Sequence, residues 1–452
     1  MARFSSLLVF WLGVVLTLLL SCENLGPRAT REGRASTKRP SGFRMAISIS
    51  SPFDFYATDV KNNENNLYYT ANLDSLEIEK PSYTVDISGS SVTEAVYADG
   101  RVFITSFEPG FVAAIDDEKG RLIWKENLSA LPVQKLAITP YFLVVAIGRQ
   151  NPEVRGRLYF YDPITGEELN NLGTNWLYEY FVQDEETLFA VGGPVAEVSA
   201  ISLKDGTVRS SRVFGFTPAG VLLTQAGLTI LGVNGDLYFL EPKNLKLKQV
   251  VRTPAGYFSF PASDGTNLYY LVGNTSLSQQ TKLASLSLAK VKERFEVPLP
   301  SIAPFSPVVA ENTIYLSTYS GEIVAISAED GALLWQAKLG VPNRILAVFN
   351  DEILTWAFFV RRPDIRGFER FFVRPPSWMK EEEEVAYALV RLSRHDGSLV
   401  ALEKLPRLYE PRIITKQHLI VHAKPSRSEK GRLIAYPLKL SEVRSPVQID
   451  SR

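Results

Sequence analysis

The sequence predicts an all-β fold, a β-propeller of four-stranded blades. Three observations predict it. A short apolar strand followed by a polar turn recurs about every 40 residues. One such period divides into four short strands. No segment between residues 45 and 452 sustains a helical period of apolar residues.

The recurring unit is clearest in two stretches, "ISAEDGALLWQAKLG" at 326–340 and "AIDDEKGRLIWKENLS" at 114–129. Both run apolar strand, acidic turn ending in Gly, two apolar residues and Trp, which places Trp124 and Trp335 211 residues apart. Turns of the same kind fall near Lys80, Gly120, Gly166, Gly206, Asn244, Lys290, Gly331, Gly397 and Leu440. Their spacings are 40, 46, 40, 38, 46, 41, 66 and 43 residues, so one interval stands apart. Within residues 306–340 the period reads "PVVA", "TIYLST", "EIVAIS" and "ALLWQAKL", with Asn, Gly and Asp at the breaks. The strands "RVFITS" and "FVAAID" of the sister period alternate only loosely, as they should if both faces pack on neighbours. A β-sandwich also turns every few residues but imposes no fixed 40-residue period.

The amino terminus reads differently. Arg3 precedes an apolar run from Leu7 to Leu20, which suits a secretory signal and is short for a bilayer span. Leu19-Leu20-Ser21-Cys22 resembles a bacterial lipobox, and Cys22 is the only cysteine in the chain. The expected chemistry is diacylglyceryl on the Cys22 thiol, cleavage after Ser21 and acylation of the new amino end, since two or more chains anchor stably where one does not. An ordinary cleaved signal and an uncleaved anchor are the alternatives. Residues 22–44 are poor in apolar side chains and carry six cations against Glu23 and Glu32, the composition of a lipidated, flexible tether. The domain reading is therefore 1–21 lipoprotein signal peptide, 22–44 tether, and 45–452 propeller with an insertion near 361–384.

Lys and Arg total 49, as do Asp and Glu, so the net charge is zero and offers no support for a nucleic-acid partner. One cysteine excludes an intrachain disulfide and multi-cysteine metal sites.

The stretches "DGALLWQAKLG" and "GRLIWKENL" resemble the pyrroloquinoline-quinone-like propeller repeat over about 400 residues. Only two periods keep the Trp; Leu169, Val208 and Leu402 stand around the comparable place in others. Lipobox, tether and propeller together are similar to the BamB family, the propeller lipoproteins of the outer-membrane β-barrel assembly machine. The resemblance implies eight blades, reached here if the first and last segments share one blade; seven or nine stay open. It also implies Trp rings turned toward the neighbouring blade. A bacterial envelope location is implied too, lipid-anchored at the outer membrane and facing the periplasm, with envelope proteins, including the barrel assembly complex, as partners.

The related quinoprotein dehydrogenases hold their cofactor with a vicinal disulfide, a calcium ion and a catalytic Asp. A chain with one cysteine lacks the first, and "DDEKG" at 116–120 reads as a turn rather than a calcium loop. His418 and His422 form an HxxxH pattern on a strand, about 13 Å apart, too far to share a metal whose bonds to His are about 2.1 Å. His395 reads as a solvated turn residue. No nucleophile elbow or phosphate loop is present. The expectation is no catalytic, cofactor-binding or metal-binding residue set.

The long interval between Gly331 and Gly397 holds about 25 extra residues. Arg361, Arg362, Arg366, Arg370 and Arg374 interleave there with Phe368, Phe371, Phe372 and Trp378, followed by Glu381–Glu384. Long insertions in compact folds tend to carry function, and Arg with aromatics is the composition enriched in protein interfaces. A loop folded over its own blade, with Arg paired to the Glu run, is the structural alternative. The functional expectation is a membrane-anchored scaffold that binds envelope proteins. The alternative is a ligand- or carbohydrate-binding propeller receptor or a degenerate quinoprotein-like domain.

Overall fold

In a computed structural model, residues 68–69, 71–87, 91–107, 110–128, 133–148, 155–252, 261–273, 281–303, 305–318, 320–360, 385–406, 409–423 and 431–442 are described. They form 33 strands in eight sheets, and no helix occurs among them. Seven sheets are four antiparallel strands consecutive in the chain. In chain order they span residues 91–127, 133–174, 178–213, 218–251, 262–298, 308–338 and 343–405, here blades 1 to 7. Blade 8 takes its three inner strands, Tyr409–Ile414, His418–Ala423 and Gly431–Glu442, from the carboxyl end. Its outermost layer comes from the amino end, Ala71–Leu76 and Tyr83–Ile87, both paired to Gly431–Glu442. First and last segments therefore share one blade, and the ring closes at eight.

The break in that outer layer has a local cause. Tyr83–Ile87 covers Gly431–Ala435 and Ala71–Leu76 covers Leu438–Glu442, leaving Tyr436 and Pro437 between them. Proline has no N–H to offer a ladder, so the outer strand divides where it would find none. The turn read near Lys80 lies in this break. Leu440 is not in a turn: it sits within Gly431–Glu442, paired with Leu73.

The other recurring turns share one backbone conformation. Each joins a blade's third strand to its outermost strand through a residue with left-handed backbone: Gly120, Gly166, Gly206, Gly331 and Gly397, but Leu245 in blade 4 and Val291 in blade 5. The acidic side chains of these turns cap their own loops. Asp116 Oδ1 accepts from the amides of Glu118 and Lys119, and Asp162 Oδ1 from those of Ile164 and Thr165. Just beyond each turn the pairing skips one residue, a β-bulge at the same place in all seven blades. Such bulges raise the local twist, which suits the outer strand of a fanned blade.

The first strands of neighbouring blades contact one another around the ring axis. Middle strands such as Thr187–Gly192, Glu197–Ser202 and Glu322–Ser327 are buried along their whole length. Both of their faces meet a neighbouring blade, which is why they read as continuous apolar runs. The core is the set of inter-blade clusters; one joins residues of blades 8, 1 and 2 from Ile413 to Tyr161.

The amino-terminal chain joins the ring at a defined end. Tyr68 donates from its hydroxyl to Glu311 and Asn350, and the Arg394 guanidinium lies 5.1 Å over its ring. Glu311 and Asn350 sit in the turns between the first and second strands of blades 6 and 7, and Arg394 in the third-to-outermost turn of blade 7. Antiparallel strands put all of these turns at one end of the ring, the amino-terminal end.

Candidate interaction surface

The two tryptophans singled out in the sequence lie between blades. Trp124, buried on the outermost strand of blade 1, donates from Nε1 to the carbonyl of Pro163 in blade 2 at 3.2 Å. Trp335 on the outermost strand of blade 6 donates to Arg394 of blade 7 at 2.9 Å. Each indole covers the left-handed glycine of the next blade: a Cβ built at Gly166 would lie 2.6 Å from Trp124, and one at Gly397 2.6 Å from Trp335. The same seat is taken by Tyr83 over Gly120 and by Phe295 over Gly331. The bulge shifts the equivalent position by one residue or more from the reading by eye. Asn170, Ser210 and Ala401, not Leu169, Val208 and Leu402, pair where Trp124 and Trp335 pair.

His418 is spent on structure. It is buried and its Nδ1 lies 3.1 Å from Asp117 Oδ1, which also accepts from the Tyr83 hydroxyl at 2.9 Å. This cluster ties the amino-terminal strand Tyr83–Ile87, the second strand of blade 8 and the blade 1 turn together. Burial and the Asp117 carboxylate push the Tyr83 hydroxyl far above its ordinary range, so it stays a donor. His395 is exposed in its turn. No group of three His, Cys, Asp or Glu side chains close enough to hold a metal occurs among the described residues.

Around the axis, carboxylates are matched by cations. Glu94 of blade 1 pairs with Lys135 of blade 2 at 2.7 Å, and Glu410 with Arg412 within blade 8 at 2.8 Å. Burial lowers the Arg412 guanidinium from its ordinary value, and nearby Arg344 adds to this, while Glu410 and Glu94 oppose it. The single cysteine and these neutralised carboxylates do not fit the disulfide-and-calcium setting of a quinone cofactor.

Cys22 and the insertion residues Arg361, Arg362, Arg366, Phe368, Phe371, Phe372 and Trp378 lie outside the described residues. The strands that flank the insertion are described. Glu352–Val360 and Val385–Ser393 are nine residues each and pair without a slip from Glu352↔Ser393 to Val360↔Val385. They are the second and third strands of blade 7, so the insertion joins them at the end of the ring opposite Tyr68. A row of aromatic and Arg side chains leads to that end. Trp356 stacks on Tyr387 at 5.6 Å, Arg344 is the strand partner of Trp356, and the Arg344 guanidinium lies 5.6 Å from the Phe305 ring. Phe305 precedes the first strand of blade 6, so spacing alone could not join it to Arg344 and Trp356 of blade 7.

A family model described as outer membrane protein assembly factor BamB matches residues 197–351 and 276–400. Among solved structures, BamB from Moraxella catarrhalis superposes with a TM-score of 0.56 at 11% identity, covering 80% of this chain and 100% of that one. The chain is a PQQ-like-repeat propeller that resembles BamB. The computationally designed Ika8 protein gives a TM-score of 0.54 at 10% identity over 82% of this chain and 99% of its own. The quinohemoprotein alcohol dehydrogenase ADHIIG of Pseudomonas putida HK5 gives 0.51 at 14% identity over 71% and 69%. At these identities the likeness is one of fold. No curated protein matches the chain in sequence. The BamB-like ring thus shares its architecture with a designed protein and with an enzyme, and its function has to be argued from its own surfaces.

Proposed function

We propose that the chain is a membrane-tethered scaffold, not an enzyme, that docks envelope proteins during outer-membrane protein assembly. In this reading it is anchored through Cys22 at the bacterial outer membrane and faces the periplasm. The family description supports the setting. The observation that carries the reading is that Tyr68, the first described residue, and the strand ends Val360 and Val385 lie at opposite ends of the ring. The amino-terminal chain arrives at Tyr68, among the turns of blades 6 and 7. The insertion joins Val360 to Val385 at the other end, beside Trp356, Tyr387 and Arg344. An anchor at one end leaves the Arg-aromatic end free to meet a partner, and such side chains are where interfaces concentrate their energy.

The test is crosslinking in native membranes followed by mass spectrometry. It compares the full chain with a variant in which 361–384 is replaced by a short Gly-containing turn. The nine strand pairs of the flanking hairpin remain in the variant. Loop length itself costs little, about 0.6 kcal/mol per doubling. The expected result is an envelope partner recovered by the full chain and lost by the variant, at an unchanged melting temperature. A shortened protein that keeps its partner but melts much lower makes the insertion a packing element of blade 7 and moves the docking surface elsewhere.

A further inference from the structure

We propose that the outer edges of blades 3 and 4 form a second docking surface, one that takes an acidic protein segment. It rests on a different part of the molecule from the insertion and stands or falls separately from it. Residues 204–213 and 241–252, the last turns and outermost strands of these two blades, carry seven cations: Lys204, Arg209, Arg212, Lys243, Lys246, Lys248 and Arg252. Only two carboxylates, Asp205 and Glu241, fall in the same stretches. All seven cations are exposed. The chain as a whole is neutral, so this side of the ring concentrates positive charge that the rest balances.

The nearby carboxylates are engaged locally. Asp205 accepts from the amide and hydroxyl of Thr207, and Glu241 accepts from the Asn244 side chain at 2.7 Å. The Glu186 carboxylate meets Arg209 at 3.6 Å and largely in solvent, where such a pair contributes little. The outermost strands of blades 1, 2, 5 and 7 are mixed or acidic, "RLIWKEN", "ELNNLGT", "KERFEVP" and "LVALEKL", and that of blade 6, "LLWQAK", holds a single cation. Cations on an open edge discourage unwanted strand pairing, but here they extend beyond the paired edges into the turns, at Lys204, Lys243 and Lys246.

The cations alternate with exposed aliphatic side chains, Val208, Val213 and Leu247. Two neighbouring edges of five or six residues, each about 17–20 Å long, therefore offer charge together with apolar contact. That pairing of features fits a polypeptide with Asp and Glu side chains. A lipid surface would be met first at the end where the amino-terminal chain arrives, at blades 6 and 7, and blades 3 and 4 lie across the eight-membered ring from blades 7 and 8.

The experiment uses the full chain and a fluorescent poly-L-glutamate probe, with anisotropy as the readout. Binding is expected at low salt. It should weaken steeply as salt rises, since the screening length falls from about 30 Å at 0.01 M to about 3 Å at 1 M. The double variant Lys246→Glu, Lys248→Glu should lose at least about tenfold in affinity, and Arg212→Glu should lose affinity independently. Lys338→Glu, on the outermost strand of blade 6, should bind as the parent does. Melting temperatures should agree across all four proteins, because these side chains are exposed. Equal probe binding by the double variant and by Arg212→Glu overturns the proposal. So does tighter, Lys246- and Lys248-dependent binding to phosphatidylglycerol vesicles than to the probe, which would make the surface a lipid contact.

Discussion

The indole Nε1 of Trp335 donates to the backbone carbonyl of Arg394 at 2.9 Å, across the junction between blades 6 and 7. The same Arg394 reaches back with its guanidinium to the Tyr315 hydroxyl and the Ala310 carbonyl of blade 6, and lies over the Tyr68 ring. One residue of blade 7 is thus held by the outermost strand of blade 6, by its inner strands and by the first described residue of the chain. A propeller has few hydrogen bonds between blades to fix their relative positions, and here a Trp, a turn and an Arg supply them.

The Trp seat can be tested by coupling. Trp124→Ala should cost about 3–5 kcal/mol, and the less buried Trp335→Ala somewhat less. Gly397→Ala should be strongly destabilising alone, because its backbone is left-handed and its Cβ meets the Trp335 ring. In a Trp335→Ala background the clash is gone and only the backbone cost, about 1–2 kcal/mol, remains. Additive effects in thermal or urea unfolding would show that the ring does not seat on Gly397.

Glu352 and Arg391 form a two-bonded ion pair in blade 7, with Nε–Oε2 at 2.6 Å and Nη2–Oε1 at 2.9 Å, and both side chains are largely buried. Arg391 also donates to the Leu73 carbonyl of the amino-terminal strand. Glu352→Ala leaves a buried guanidinium unmatched and should cost about 3–5 kcal/mol. Glu352→Leu with Arg391→Met should cost less than that single change. A double variant that is worse than Glu352→Ala in denaturant unfolding would contradict the charge account.

Glu197 gives a pH dependence. Burial raises its carboxyl above the ordinary range, partly opposed by hydrogen bonds from Tyr178 and Asn175, and its Oε2 is buried without a hydrogen-bond partner. A carboxyl with a raised folded-state value binds its proton more tightly when folded. Its contribution to stability is full below the unfolded value, about 4.3, and is lost as pH rises through the folded value. Glu197→Gln should therefore gain on the parent in melting temperature between pH 4 and pH 8. Parallel curves across that range would rule this out.

Cys22 decides the anchor. Cys22→Ala should release the protein from membranes or leave the signal uncleaved. If the variant still fractionates as a processed, detergent-dependent protein, the lipid attachment is wrong.

In the insertion, changing Phe371 and Phe372 together to Ala should weaken the envelope partner by about 2 kcal/mol or more, roughly thirtyfold, without lowering the melting temperature. A lowered melting temperature with binding intact would place these rings in the blade instead.

The sequence by itself determined the repeat and the four-stranded period. These are local facts: apolar strands, turn residues and their spacing are written in consecutive residues. That the two ends of the chain share one blade was decided by the pairing of Ala71–Leu76 and Tyr83–Ile87 with Gly431–Glu442, since the sequence left seven, eight or nine blades open. The glycine of each turn was legible because a left-handed backbone favours glycine, and Leu245 and Val291 were not, because they hold that conformation without the residue that signals it. Leu440 was misread because a polar-looking stretch can still be a strand when another segment pairs with it, as Leu73 does. The equivalents of Trp335 were misaligned because a bulge is a property of two paired strands and leaves no mark in one. Only the tertiary structure decided which distant side chains meet: Tyr68 with Arg394, His418 with Asp117, and Arg344 with Phe305. In a ring closed from both ends, residues about 300 positions apart become neighbours, and spacing along a single chain carries no signal of that.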